Sequence, residues 1–299
     1  MVDVEKNRVL TFDVGGSHVS AALCFADDYR LGPVASALYE AVESCDGFID
    51  LLANLRDEAL AGLDGDFPAV LAVPGPFDLP AGISLMRHKL PYLYGVNLRQ
   101  ALASRFGCNC CQVRFLNDAD AYLLGEVGAG AARGYDRAVG LTLGTGIGSA
   151  FAVEGKVLTE GKGIPKDGEI WNLPYENGIV EDSLSARAIS STYLRTTGQL
   201  LTPAELAAAA PEDAAARGAF TEFGRHLGVV IRDLLGDFGA DVIVLGGGIS
   251  RSSQWFLPAT CAQLQGRQLE LRVSELQDQA PLVGGGVAWF DEASKLATY

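Results

Sequence analysis

Positive charge is scarce in this chain. Its 23 lysines and arginines stand against 37 aspartates and glutamates, leaving a net charge of −14. So acidic a surface argues against non-specific binding to nucleic acid or to an anionic membrane. It does not exclude an anionic nucleotide, which local backbone N–H groups can hold. No apolar run approaches the ~20 residues of a membrane span. The first seven residues lack the basic and apolar regions of a secretory signal, so a cytoplasmic location is expected. Histidine is rare as well, with only His18, His88 and His226. The six cysteines are Cys24, Cys45, Cys108, Cys110, Cys111 and Cys261. The run Cys108-Asn109-Cys110-Cys111 has no second ligand pair at zinc spacing, so these read as reduced thiols rather than a metal or redox centre. There is no Walker-type Gly-Lys-Ser/Thr. No Pro- or Ser-rich linker is present, so two lobes would pack closely rather than swing on a tether.

What remains is a globular chain. At 299 residues it has room for about two domains of ~150 residues. With 48% hydrophobic and 20% charged residues it can bury a sizeable core and is not disordered. Residues 8–13 read as a strand, 14–17 as a turn, 18–25 as a second strand and 31–38 as a third. This is a meander, not a βαβ unit. Helical periodicity covers 47–63. A buried strand at 70–73 ends in Pro74-Gly75-Pro76, and 77–95 reads as a long irregular loop. Asn97 can cap a helix to residue 105. Strand, glycine turn and strand recur at 138–153, which suggests a duplicated βββαβ plan. Further on, helices are expected at 181–194, from Thr202-Pro203-Ala204-Glu205 and over 211–238. A strand at 241–245 stops at Gly246-Gly247-Gly248, and Ser250 or Ser253 begins another helix. A last strand at 269–273 and a helix at 282–296, opening on Gly284-Gly285-Gly286, close the chain.

Two features carry chemistry. The first is the corner Phe115-Leu116-Asn117-Asp118-Ala119-Asp120-Ala121, read as strand, polar turn and helix. A helix N-terminus stabilises a carboxylate, and α/β sheets bind ligands beyond the carboxyl ends of their strands. Asp118 therefore suits a cleft. It also suits an ordinary N-cap, and the corner alone leaves both readings open. The second feature is a set of glycine turns: Asp13-Val14-Gly15-Gly16-Ser17, Leu143-Gly144-Thr145-Gly146-Ile147-Gly148 and Leu245-Gly246-Gly247-Gly248. Glycines let backbone N–H groups approach a phosphate, and Ser17 or Thr145 adds a hydroxyl donor. Any one of them could be a simple hairpin turn. The second imitates a dinucleotide fingerprint but leads into a strand instead of a helix. Asp13, beside the first turn, is a natural partner for Mg²⁺ through water. A cradle, a counter-ion and a group that orients the attacking oxygen are the parts phosphoryl transfer needs.

Taken together and in order, these residues resemble the ROK sugar kinases, bacterial relatives of hexokinase. Asp13-Val14-Gly15-Gly16-Ser17 is similar to the first phosphate motif, Asp-x-Gly-Gly-Thr. Pro74-Gly75-Pro76-Phe77-Asp78 resembles Pro-Gly-Pro-Val-Asp. Leu116-Asn117-Asp118-Ala119-Asp120-Ala121 with Gly125-Glu126 resembles Asn-Asp-Ala-Asn-Ala…Gly-Glu. Leu143 to Gly148 resembles the second phosphate motif, and Val244-Leu245-Gly246-Gly247-Gly248 the nucleotide-contacting one. The likeness covers nearly the whole chain.

The resemblance implies an α/β, two-lobe actin-like ATPase (ribonuclease H-like) fold with a duplicated βββαβα core and an interlobe cleft. Residues 1–116 with a C-terminal helix at 282–299 would form the small lobe, and 117–281 the large one. It implies an ATP- and Mg²⁺-dependent hexokinase acting on the 6-hydroxyl of glucose or a similar aldohexose. Asp118 would be the base, and Asn117, Glu169, Asn172, Glu181 and Gly75 would hold the sugar. Gly15, Gly16, Ser17, Gly144, Thr145, Gly146, Gly247 and Gly248 would hold the nucleotide phosphates, and Asp13 the Mg²⁺. A homodimer is implied too. The chain departs from the pattern in three places. Gly168-Glu169-Ile170-Trp171-Asn172 puts Asn172 where Gly-Glu-x-Gly-His has histidine. The family's cysteine cluster is missing, so no structural zinc is expected. His18 and Lys89 are not the usual residues at their positions.

These residues leave alternatives open. Polyphosphate could replace ATP, and mannose, fructose or an N-acetylhexosamine could replace glucose. A sugar-responsive repressor would need a DNA-binding segment before Arg8 and a less acidic chain. A sugar-binding protein without catalysis is at odds with Asp13, Asp118 and both phosphate turns.

Overall fold

The computed structural model describes residues 7–39, 42–87 and 90–296. The chain divides into two compact units, residues 1–130 with 279–299, and residues 131–278.

The first unit begins with β1 (Arg8–Val14), β2 (His18–Phe25) and β3 (Ala35–Leu38). These form the expected antiparallel meander. The third strand starts later than its apolar pattern, because Gly32-Pro33 interrupts the ladder and leaves Leu31 as a single bridge to Cys24. Helix α1 (Cys45–Leu60) follows, capped by Ser44 Oγ accepting from the Gly47 N–H. Next comes β4 (Ala69–Val73), with all five residues buried. Its unbroken apolar run is typical of a strand covered on both faces. Helix α1 packs on the meander from one side, and a helix from the chain's far end covers β1, β2 and β4. The loop expected at 77–95 holds a small hairpin, β5 (Phe77–Asp78) with β6 (Ile83–Ser84), and a 3₁₀ turn at Pro91–Leu93. Helix α2 (Leu98–Phe106) is capped by Asn97, as its sequence suggests. Strand β7 (Val113–Asn117) then runs straight into α3 (Asp118–Ala129). The sheet order is β3-β2-β1-β4-β7, with β1, β4 and β7 parallel.

The second unit repeats this plan. Strands β8 (Arg137–Leu143) and β9 (Ile147–Val153) form a hairpin, and β10 (Lys156–Val157) adds the edge. A 3₁₀ turn at Lys166–Gly168 and the hairpin β11 (Pro174–Tyr175) with β12 (Gly178–Ile179) lead to α4 (Val180–Ser183). The single helix expected over 181–194 is in fact two. The first ends at Ser183 with Leu184 as its C-cap, and Ser185 caps α5 (Ala186–Thr197), its hydroxyl accepting from the Ala188 N–H. Helix α6 (Pro203–Ala209) has the capping box of Thr202 and Glu205. Helix α7 (Ala214–Leu234) is capped by Asp213. Strand β13 (Val242–Gly246), a 3₁₀ turn at Gly248–Ser252, α8 (Ser253–Gln263) and β14 (Glu270–Val273) complete the unit. The order β10-β9-β8-β13-β14, with β8, β13 and β14 parallel, reproduces the first sheet strand for strand. This is the duplicated α/β core of the actin-like ATPase fold.

Helix α9 (Ala280–Leu296) returns to the first unit. Gly284, Gly285 and Gly286 lie inside it rather than opening it. A Cβ on Gly284 would stand 1.8 Å from the Ala121 carbonyl oxygen, and one on Gly125 would stand 2.0 Å from that of Ala280. The backbones of α3 and α9 therefore touch, which only glycine permits. This contact keeps α3 in the first unit, which runs to Gly130, past the Leu116 boundary read from the sequence. Helices α7 and α8 are joined in a similar way at Gly224 and Gly228. Among the described residues no helix is long and apolar enough to cross a membrane.

Candidate active site

In the first unit the candidate residues gather at one edge of the sheet. The parallel strands β1, β4 and β7 end there together. Asp13 is in register with Ala72, Ala72 with Leu116, and Val73 with Asn117. Two strand spacings therefore separate Asp13 from the end of β7, about 10 Å. Gly75 follows the end of β4 and belongs to the same edge.

At the corner, the cap is made by Asn117 rather than Asp118. Asn117 Oδ1 accepts from the N–H groups of Ala119 at 3.0 Å and Asp120 at 3.3 Å. The simplest reading of Asp118, as the N-cap, is thereby removed. Asp118 is the first residue of α3, half-buried, with Oδ1 accepting from the Ala119 N–H at 2.9 Å. The helix start thus supplies a direct donor to its carboxylate. The Asn117 carbonyl is engaged in the cap, so its amide N–H groups are what it can offer a hydroxyl. Burial and the neighbouring Asp118 charge push the Asp120 carboxyl up to about 6.

The first glycine turn is tight. The Gly15 N–H donates to the His18 carbonyl at 2.9 Å, while Gly16, Ser17 and His18 are exposed. Tyr39, which sequence reasoning missed, braces it from below. Its hydroxyl donates to the Gly15 carbonyl at 2.6 Å, and its N–H donates to the Ser17 carbonyl at 3.2 Å. Nothing near Tyr39 in the sequence signals this role. Lys89 lies outside the described residues.

The second unit brings together the other candidates. In the second turn the Gly144 N–H donates to the Gly146 carbonyl at 2.9 Å, and Thr145 is exposed. The first N–H of α5, from Ala186, donates to the Gly144 carbonyl at 2.8 Å. The break at Ser185 thus seats a helix start on the turn. Register pairs Thr142 with Gly246, so the turns after β8 and β13 lie side by side. Gly247 has φ 78°, and a Cβ there would stand 2.4 Å from the Leu143 carbonyl oxygen, so a side chain would force the two turns apart. Gly248 is exposed beside it.

Glu181 reaches the same turn. Its Oε2 accepts from the Ile147 N–H at 3.3 Å and occupies the space a Cβ on Gly146 would need. Glu169 and Asn172 are exposed on the segment that leads to β11. Ser149 of β9 anchors that segment, donating to the Gly168 carbonyl at 2.6 Å and accepting from the Ile170 N–H at 3.1 Å. Trp171, a second residue missed by sequence reasoning, donates its indole N–H to Glu169 Oε2 at 2.9 Å. Its signal was visible in retrospect, since tryptophan stands where the family motif has glycine.

A polar cavity of about 160 Å³ lies elsewhere in this unit. It is lined by paired charges, Arg195 with Glu222 and Arg187 with Asp182, and by none of the candidate residues. Among the described residues no group of three His, Cys, Asp or Glu side chains is placed to hold a metal ion.

Residues 9–292 match the ROK family. The glucokinase of Thermotoga maritima is 31% identical over 278 residues, spanning 83% of this chain and 84% of that one. An N-acetyl-D-glucosamine kinase of Escherichia coli is 27% identical over 275 residues, spanning 86% and 87%. The crystal structure of a ROK hexokinase from Thermus thermophilus matches with a TM-score of 0.77 at 25% identity, over 96% of this chain and 99% of that one. Fold and relatives define the class as a sugar kinase built on the actin-like ATPase core. The chain belongs to the ROK family.

Proposed function

We propose that this sugar kinase transfers the terminal phosphoryl group of ATP to the 6-hydroxyl of glucose or a similar aldohexose, with Asp118 as general base. The observation that carries the reading is the corner after β7. The cap falls to Asn117, and Asp118 stands half-buried at a strand's carboxyl end, on the same sheet edge as Asp13 and the Gly15 turn. In this reading Asp118 accepts the proton of the 6-hydroxyl as its oxygen attacks phosphorus. Such transfer contributes ~10²–10⁴-fold. Backbone N–H groups of Gly15, Gly16, Gly144 and Gly146, with the Ser17 and Thr145 hydroxyls, hold phosphate oxygens. Gly247 and Gly248 pass close to the nucleotide. Asn117, Gly75, Glu169, Asn172 and Glu181 hold the sugar and aim its hydroxyl.

Mg²⁺ suits the residues present. Asp13 offers a hard carboxylate oxygen beside a glycine turn, and Mg²⁺ is commonly held by one or two carboxylates together with substrate phosphates and water. When bound, the ion would neutralise charge on the transferring group.

The test is sugar-phosphate formation across glucose, mannose, fructose and N-acetylglucosamine, run with ATP and with polyphosphate. Turnover of a hexose with ATP and Mg²⁺ is the expected result. Turnover with polyphosphate alone would overturn the donor, and no turnover of any hexose would overturn the function.

A further inference from the structure

Trp171 is the one large aromatic side chain on the segment carrying Glu169 and Asn172, and it is not in the core. The residue is 40% exposed. An exposed indole forgoes the burial that normally favours tryptophan inside a protein. Yet this one is held in place from three directions. Its N–H is committed to Glu169 Oε2 at 2.9 Å. Its backbone carbonyl accepts from the Glu181 N–H at 3.0 Å. The preceding residue, Ile170, is fully buried, with its N–H bound to Ser149 of β9. Trp171 therefore links the two glutamates proposed to hold sugar hydroxyls, while keeping ring surface open to solvent.

Both properties suit a pyranose. The indole N–H fixes one carboxylate oxygen of Glu169, which presets the orientation of the other for a hydroxyl. Pre-ordering a side chain in this way reduces the entropy lost on binding. The open ring surface offers an apolar platform. A pyranose carries C–H groups on a face that aqueous solvent satisfies poorly, and burying such surface against a ring is favourable.

We infer that Trp171 is a sugar-recognition residue of this enzyme, stacking on the C–H face of the bound hexopyranose and positioning Glu169 through its indole N–H. The inference rests on the hexose-kinase reading above.

The experiment uses the full-length enzyme with Trp171→Phe, which keeps a ring but removes the N–H, and Trp171→Ala, which removes both. The sugar is the best hexose from the panel. Steady-state kinetics and tryptophan fluorescence titrations with that sugar are the readouts. For Trp171→Ala, the KM for sugar should rise about 10- to 50-fold, with the KM for ATP unchanged and kcat within about 3-fold. Trp171→Phe should fall between this and wild type. Wild type should change its emission on adding sugar, and both variants should lose that response, although Trp255 and Trp289 remain. If wild type turns over the hexose but both variants keep its sugar KM and the emission response, the assignment of Trp171 is wrong and the kinase reading survives. If wild type neither phosphorylates nor responds to any hexose, both readings fall together.

Discussion

Glu181 and Ile147 are joined across 34 positions of sequence, the Ile147 N–H donating to Glu181 Oε2 at 3.3 Å. The contact ties a proposed sugar-holding carboxylate to the backbone of the second glycine turn. Gly146 makes it possible, because a Cβ there would lie 2.1 Å from that same oxygen. The obstructing atom is the tip of a flexible side chain, so Gly146→Ala should fold with little loss of stability while displacing the Glu181 carboxylate. Activity should fall by at least about 10-fold as the KM for sugar rises. Thermal melts and steady-state kinetics check both halves. A variant with wild-type kinetics would show that the contact has no part in function.

The α3–α9 contact sets where Asp118 sits, because α3 begins with that residue. Unlike Gly146, Gly125 and Gly284 face backbone carbonyls that cannot rotate away. Gly125→Ala or Gly284→Ala should therefore cost about 1–3 kcal/mol of stability despite alanine's better helix propensity. Urea denaturation measures this. A stabilised variant would mean the helices can separate without penalty.

Asp120 gives a pH signature. Burial and Asp118 raise its carboxyl from 3.8 to about 6 in the folded chain. Between those values the native state keeps a proton that the unfolded state has lost, so stability falls as pH rises from about 4 to 6 and then levels. Asp120→Asn removes this loss. It should be more stable than wild type at pH 7, by on the order of 1–3 kcal/mol, with the gap closing below about pH 4. Equal stability of the two proteins at pH 7 would contradict the burial of that carboxyl.

Tyr39→Phe removes the hydroxyl beneath Gly15 without changing the ring. The first turn should loosen, raising the KM for ATP about 3- to 10-fold and leaving the KM for sugar unchanged. An effect on sugar alone would place the turn in the wrong role.

Much of this arrangement is legible in the sequence. The meander of residues 8–25 and its repeat at 138–153 follow from apolar runs punctuated by glycine. The corner at Asn117-Asp118 follows from a buried strand meeting a helix-forming run. The misreadings have physical causes. Residues 181–194 keep a helical composition across the break at Ser185, and the break is fixed by Ala186 bonding to Gly144, a tertiary contact. Gly284 to Gly286 disfavour a helix locally, and tertiary packing makes them the residues of choice: Gly284 meets the backbone of α3, Gly285 the side chains of Thr11 and Val70, and Gly286 that of Cys24. Tyr39 acts through a hydroxyl aimed at a turn 24 residues earlier, which no local pattern encodes.

The most direct measurement is the turnover of Asp118→Asn with saturating hexose and ATP. The exchange keeps the size and polarity of the side chain and removes its capacity to accept a proton from a hydroxyl. With Asp118 as base, kcat should drop ~10²–10⁴-fold, while the melting temperature and the affinity for sugar stay near wild type. A variant that folds, binds hexose and retains near-wild-type kcat would contradict the account.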